Sequence, residues 1–289
     1  MERLSFLDGV LIATGWTTGD DPIILYDGSP VDHQLCVRYG RKERFLADKH
    51  GFRIAAPLVN RNIDNEKVFV RFDNGNELRR SPSQPDTHPA VLSAFLTAAN
   101  RKSGVPLIEI GSRARSGSTY RHLFPNCEYF GIDVADGPNV DLVTDAHTMK
   151  GVTKQFDFAF SVSVFEHLMM PWVAAHALNR VLNSGALVFI QSHPSWPLHE
   201  EPWDFFRFSK DAWSSIFSPF TGFEIIDAGY ALEASIVPAN ASGGALQTFE
   251  DHRTYLVSSC LARKIGVPTH DWSADPAEIH NLKYSHGTL

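Results

Sequence analysis

Leu107-Ile108-Glu109-Ile110-Gly111-Ser112-Arg113-Ala114-Arg115-Ser116-Gly117 decides the fold. Its first half is a short apolar strand with an acid near its end. Its second half is a turn of small residues and two arginines, and Ser118-Thr119-Tyr120 opens a helix beyond it. A strand, a glycine-bearing turn and a helix start are how an α/β domain brings its backbone close to a cofactor. The next acid at the end of an apolar run is Asp133, in Tyr129-Phe130-Gly131-Ile132-Asp133. That spacing suits a carboxylate accepting hydrogen bonds from ribose hydroxyls.

Outward from this stretch, strands and helices alternate. Upstream, Thr87 opens a helix in which Val91, Leu92, Phe95, Leu96 and Ala99 share a face, and Gly104 ends it. Downstream, Leu107–Ile110 leads to a short helix stopped by Pro125. The further strands are Tyr129–Ile132, Val140–Val143, Phe156–Ser161, Ala186–Gln191, Phe223–Asp227 and Thr254–Leu261. A helix spans Trp172–Leu182, closed by Asn183-Ser184-Gly185 with Gly185 left-handed, and another starts near Ser209-Lys210-Asp211. The pattern predicts a doubly wound, mostly parallel, seven-stranded α/β sheet. No helical period separates the last two strands, which allows an antiparallel final hairpin.

Residues 1–85 read differently. Gly9–Ala13, Pro22–Tyr26, Gln34–Arg38, Phe52–Ala55 and Lys67–Phe72 are short β-type runs between turns such as Asp27-Gly28 and Asp73-Asn74-Gly75. A small all-β sandwich or barrel is expected. It would serve as a packing or homo-oligomerisation module, or bind a glycan or partner through Trp16 or Tyr26. Ser81-Pro82-Ser83-Gln84-Pro85-Asp86 reads as the linker to a domain spanning 86–289, and the polar tail from Val267 as loop.

The 289 residues are 43% hydrophobic with a formal net charge of −7, which offers no basic field for nucleic acid. Cys36, Cys127 and Cys260 have neither metal nor disulfide spacing. The N-terminus lacks a long apolar segment and no run reaches membrane-span length, so a cytoplasmic protein without membrane partners is the expectation.

A dinucleotide fingerprint from Gly111 needs glycines where Arg113 and Ser116 stand, and a phosphate-binding Walker loop needs glycine then lysine where Ser116 and Gly117 stand. Residues 107 to about 262 resemble instead a class I S-adenosylmethionine-dependent methyltransferase with a type 11-like domain. Glu109-Ile110-Gly111 is similar to its first motif and Gly131-Ile132-Asp133 to its ribose-binding second motif. Thr144-Asp145-Ala146-His147 is similar to its adenine-contacting segment, Phe156 through His167 to its fourth-strand motif, and Arg180–Ala186 to its turn into strand five. The resemblance implies S-adenosyl-L-methionine as cofactor, held by Glu109, Gly111, Ser112, Gly117, Asp133, Asp145, Ala146, Ser161 and His167. The Glu166-His167 pair reads as cofactor binding or helix entry. The family's Gly-x-Gly-x-Gly is here Gly111-Ser112-Arg113-Ala114-Arg115, so either the turn is reshaped or both arginines point away. Arg115 could instead meet the cofactor carboxylate or an acidic substrate.

Methyl transfer is an in-line displacement in which the protein supplies proximity, and a hydroxyl acceptor also needs a base. In such a sheet the loop after strand five, Ser192–Phe208, faces the methyl group. His199 is the first candidate base and His193 the second, with Asp204 as orienter or alternative base. Trp196, Trp203 and Arg207 are candidate substrate contacts, although Trp203 reads first as core, and Arg207 either holds an acidic group or pairs with Asp204. His193, His199 and Asp204 have metal-ligand chemistry, but nothing in the sequence fixes their geometry and no metal is assigned. The expected activity is O-methylation of a sugar or other small-molecule hydroxyl. The alternative is a non-catalytic, methyltransferase-like binding or scaffold protein.

Overall fold

The computed structural model describes residues 3–7, 10–32, 34–39, 50–57, 67–79, 85–115, 117, 119–234, 236 and 253–270. Two compact units emerge: residues 1–84 with 235–253, and residues 85–234 with 254–289. Residues 81–84 of the expected linker and the tail beyond 270 lie outside the described residues.

The first unit holds β1 (Arg3–Leu7), β2 (Val10–Thr17), β3 (Ile23–Tyr26), β4 (Ser29–Pro30), β5 (Gln34–Tyr39), β6 (His50–Pro57), β7 (Val68–Arg71) and β8 (Glu77–Arg79). They form two antiparallel sheets, ordered β1-β2-β6-β5 and β4-β3-β7-β8. Leu11, Phe52 and Ile54 of one sheet and Ile24, Val68 and Val70 of the other share one core, which makes the unit a small sandwich. Asp27 and Gly28, at φ 48° and 79°, make the tight turn that joins β3 to β4. Tyr26 packs on the core.

The second unit opens with α1 (His88–Ala99) and continues through β9 (Val105–Ile110), β10 (Cys127–Asp133), β11 (Leu142–Val143) and β12 (Phe156–Val162). Then come α2 (Pro171–Val181), β13 (Leu182–Ser192), the single turn α3 (Trp213–Ile216), β14 (Phe223–Ala234) and β15 (Thr254–Lys264). The seven strands order as β11-β10-β9-β12-β13-β15-β14. The first five run parallel, and β15 is antiparallel to both its neighbours. The expected seven-stranded sheet with a reversed last hairpin is therefore present.

Side-chain alternation builds the layers. Leu107, Phe160 and Phe189 face α1, where Val91, Phe95 and Ala99 cover them. Ile108, Ile110, Val188 and Ile190 face the other way, under Ala174 and Leu178 of α2 and Trp213 of α3. Strands buried on both faces read as near-continuous apolar runs, which is why they stood out in the sequence.

Three local expectations change. The helix after β9 is, among the described residues, only a 3-10 turn over Arg121–Leu123. Pro125 has no N–H to reach the Arg121 carbonyl, which instead accepts from Phe124 N–H at 3.1 Å. The α2 helix ends at Val181 and β13 begins at once. Gly185 is left-handed (φ 80°), but it lies in an irregular stretch of β13 rather than in a separate turn. Thr87 precedes α1, yet its hydroxyl accepts from Tyr230 N–H on β14 instead of capping the helix.

Candidate active site

A cavity of about 500 Å³ opens at the carboxyl ends of β9, β10, β12 and β13. It lies where the strand order reverses between β9 and β12, the place where an open parallel sheet parts its connections and leaves a crevice.

The turn after β9 forms one wall. Gly111 and Ser112 N–H donate to the Ile132 carbonyl at 2.8 and 3.1 Å, folding the chain back over β10. Gly111 has φ 82°, and a Cβ there would sit 2.1 Å from Val164 Cγ2, so only glycine fits. Ala114 is left-handed (φ 58°), and its carbonyl accepts from Gly117 N–H at 2.9 Å. The turn is thus reshaped around its arginines. Arg113 N–H donates to Asp133 Oδ2 (3.3 Å) and its Nε lies 3.7 Å from Oδ1. Its stem passes over Gly137, where a Cβ would meet Arg113 Cγ at 2.5 Å. Arg115 forms an ion pair with Glu200. Both arginines line the cavity and leave it open.

Asp133 caps β10 in the same wall, its side chain 12% exposed. Oδ1 also accepts from Ala135 N–H at 3.0 Å. A carboxylate has about four acceptor positions, so these bonds orient Asp133 and leave capacity for a diol. Farther along, Asp145 Oδ1 accepts from both the backbone N–H of His147 (2.7 Å) and its ring Nδ1 (2.6 Å). Burial pushes the Asp145 carboxyl up, but the His147 bonds outweigh it and hold the group below its ordinary value. The far ring nitrogen of His147 accepts from Met170 N–H at 3.3 Å, which fixes the tautomer and ties this wall to the start of α2.

The opposite end is built from the loop after β13. His193 Nδ1 donates to the Leu256 carbonyl at 3.0 Å, and Nε2 faces Ser163 Oγ at 3.1 Å. Its ring stacks on Trp196, centroids 4.4 Å apart. His199 Nδ1 lies 3.1 Å from the Pro197 carbonyl and 3.5 Å from Asp204 Oδ2. His167 Nδ1 donates to the Trp203 carbonyl at 2.8 Å, and burial lowers its pKa below the usual imidazole value. The loop is closed by Phe208 N–H on the His193 carbonyl and by Phe205 and Phe206 N–H on the Glu166 carbonyl.

The expected residues divide. Gly111, Asp133, Asp145, Ala146, His167, His193, Trp196, His199 and Trp203 line the one cavity. Glu109, Ser112, Gly117, Ser161, Asp204 and Arg207 stand outside its wall. Glu109 is buried behind the turn and accepts from Tyr129 Oη–H at 2.6 Å; Ser161 donates to the Ile110 carbonyl at 3.0 Å. Asp204 is gripped by both terminal nitrogens of Arg207 at 2.6 and 2.7 Å. That fork holds its carboxyl far below the usual range. Arg207 also donates to the Trp196, Pro197 and Phe206 carbonyls, so the pair staples the loop. Tyr120, Val134, Ser163 and Glu200 also line the cavity and were not singled out from sequence. Ser163 follows the last residue of β12, a position that the strand-end rule could have flagged.

The sheet order, the reversed hairpin and a crevice at the switch point are those of the Rossmann-like fold of class I methyltransferases, a class whose methyl donor is S-adenosylmethionine. Residues 114–190 match the family model described as a methyltransferase domain. No curated protein matches the chain. Solved structures similar to it include YcgJ of Bacillus subtilis (16% identity, 62% of this chain and 100% of that one, TM-score 0.44). The N-methyltransferase NodS of Bradyrhizobium japonicum WM9, in complex with S-adenosyl-L-homocysteine, shares 15% identity over 61% of this chain and 85% of its own, TM-score 0.41. Coclaurine N-methyltransferase bound to N-methylheliamine and the same product shares 12% identity over 61% and 72%, TM-score 0.42. Among the described residues no helix is long and apolar enough to cross a membrane.

Proposed function

We propose that this cavity binds S-adenosylmethionine and that the chain methylates a hydroxyl of a small molecule, with a sugar as one acceptor class. The observation that carries the reading is the union, in one cavity, of a ribose-type acceptor at Asp133 and a fixed imidazole lone pair at His193. When bound, the cofactor supplies an activated methyl group on a sulfonium, so no further activation of the carbon is required. Gly111 lines the cavity and would present its left-handed backbone to the cofactor, while its missing Cβ leaves room for Val164 behind it. Asp133 would take the ribose hydroxyls, with Asp145 and Ala146 beside the base.

His193 is the better-supported base. Its Nδ1 proton is committed to the Leu256 carbonyl, so the neutral ring carries its lone pair on Nε2, facing Ser163 in the cavity wall. An acceptor hydroxyl that takes the place of the Ser163 contact would be positioned to give its proton to Nε2. A neutral amine acceptor needs no such base to attack, which favours a hydroxyl. Trp196 and Trp203 would form the apolar walls around the acceptor.

Calorimetry with S-adenosylmethionine and S-adenosyl-L-homocysteine tests the first half; no binding of either at millimolar concentration removes the reading. Turnover against panels of hydroxyl and amine acceptors, read by product mass, tests the second half. His193→Ala should lower kcat on the order of 100-fold with cofactor affinity unchanged. Unchanged kcat removes His193 as the base.

A further inference from the structure

Glu166, on the turn between β12 and α2, is fully buried behind His167 and His193, which line the cavity. Its Oε2 accepts from Ser192 Oγ–H at 2.7 Å. Its Oε1 is buried and has no hydrogen-bond partner. A buried oxygen without a partner is costly, so what this one faces matters.

It faces imidazole lone pairs. Oε1 lies 4.0 Å from His167 Nε2 and 3.4 Å from His193 Nε2. A carbonyl accepts hydrogen bonds and cannot donate them. His167 Nδ1 on the Trp203 carbonyl and His199 Nδ1 on the Pro197 carbonyl must therefore carry the ring protons. In the neutral rings Nε2 is left bare. The rings of His167 and His199 meet edge to face, centroids 4.9 Å apart. One donor atom from each of Glu166, His167 and His199 lies within 4.8 Å of the other two.

We propose that Glu166, His167 and His199 bind a divalent first-row transition-metal ion of the zinc class. Two imidazoles and one carboxylate suit such an ion and leave a coordination position open. Neighbouring donors around a tetrahedral ion stand roughly 3.4 Å apart, so a rotation of the half-buried His199 ring closes the set. The outer partners are in place too. Ligating histidines characteristically donate their second nitrogen to a carbonyl or carboxylate, as His167 does to Trp203 O and His199 does to Pro197 O beside Asp204. Asp204 itself is committed to Arg207, so it orients rather than ligates. Metal binding stands on this geometry alone. Its use rests on the methyltransfer reading: the open position would hold the acceptor oxygen beside His193 and make its hydroxyl more acidic.

The test uses the tag-free full-length chain, stripped with a chelator and titrated with zinc by calorimetry and with cobalt by visible absorption. One equivalent should bind, with cobalt giving ligand-field bands typical of a four- or five-coordinate nitrogen–oxygen site. Glu166→Gln and His199→Ala should each weaken binding at least about 100-fold, more than loss of an outer partner costs. Circular dichroism confirms folding, and His199→Ala, at a half-buried loop position, keeps the test open if Glu166→Gln does not fold. Absence of stoichiometric binding, or binding unchanged in both variants, overturns the proposal. S-adenosylmethionine titration of the stripped protein separates the two readings, because cofactor binding without metal binding sinks only this one.

Discussion

Glu109→Gln should stabilise the protein in alkaline solution and leave it almost unchanged in mild acid. Glu109 is 3% exposed in the middle of the parallel sheet. Burial raises its carboxyl from 4.5 to about 7, opposed by the Tyr129 hydrogen bond and the Arg121 charge and assisted by the Asp133 charge. Keeping the ionised form in that setting costs roughly 3 kcal/mol relative to the unfolded chain. Because the folded-state value lies above the unfolded one, the folded chain holds the proton more tightly. Stability therefore falls as pH rises from about 4.5 through about 7 and the full cost is present above that. Glutamine keeps an acceptor for Tyr129 Oη–H and has no charge to bury.

Differential scanning calorimetry of both proteins from pH 5 to pH 9 measures this. The transition temperatures should differ by only about 1–2 °C at pH 5 and separate to on the order of 5–10 °C at alkaline pH, the variant being higher. Carbon-13 NMR of the Glu109 carboxyl should show a midpoint near 7. A pH-independent gap, or a wild type that gains stability between pH 5 and 8, would refute the burial argument.

Asp133→Ala should weaken S-adenosylmethionine binding by roughly 10–100-fold in calorimetry, since one carboxylate orients the turn through Arg113 N–H and offers its remaining positions to the ribose. Asp204→Asn should cost about 1.5–3 kcal/mol in chemical denaturation by removing the charge from the Arg207 fork. Because the Asp204 value is depressed on folding, the wild type's advantage should be complete at pH 7 and shrink as pH drops below about 4. Gly111→Ala should abolish measurable cofactor binding while leaving a folded protein, because the clash with Val164 and the left-handed φ of 82° fall on the turn itself. Cofactor affinity equal to wild type would show that the backbone of 111 does not approach the ligand.

The sheet was legible because its chemistry is local. Strands buried on two faces announce themselves as apolar runs, and Leu107 and Ile108 serve opposite cores one residue apart. Asp133 was legible for a similar reason, as an acid at the end of such a run. The post-β9 helix was not, because a single missing N–H at Pro125 converts an α-turn to a 3-10 turn. The Asp204–Arg207 pair, three residues apart, was legible, but polar pairings between distant segments were not. His193 finds its proton acceptor at Leu256, and Glu166 finds its donor at Ser192. No periodicity encodes those contacts, which exist only once β13 lies between β12 and β15.

That dependence bears on the loop after β13. Its composition pointed to His193, His199 and Asp204 as one group. The fold keeps them close but divides their tasks: Asp204 is gripped by Arg207 and also accepts from the His199 backbone N–H at 3.0 Å, His193 turns to β15, and the His199 ring meets His167. The backbone of Glu166 holds the loop through Phe205 and Phe206, while its side chain is among those the loop covers. One residue thus anchors the loop through its backbone and places a buried carboxyl beneath it. A purely structural anchor would need only the backbone carbonyl. Glutamine at 166 keeps that carbonyl and the oxygen that Ser192 bonds, so any functional loss it causes belongs to the carboxylate.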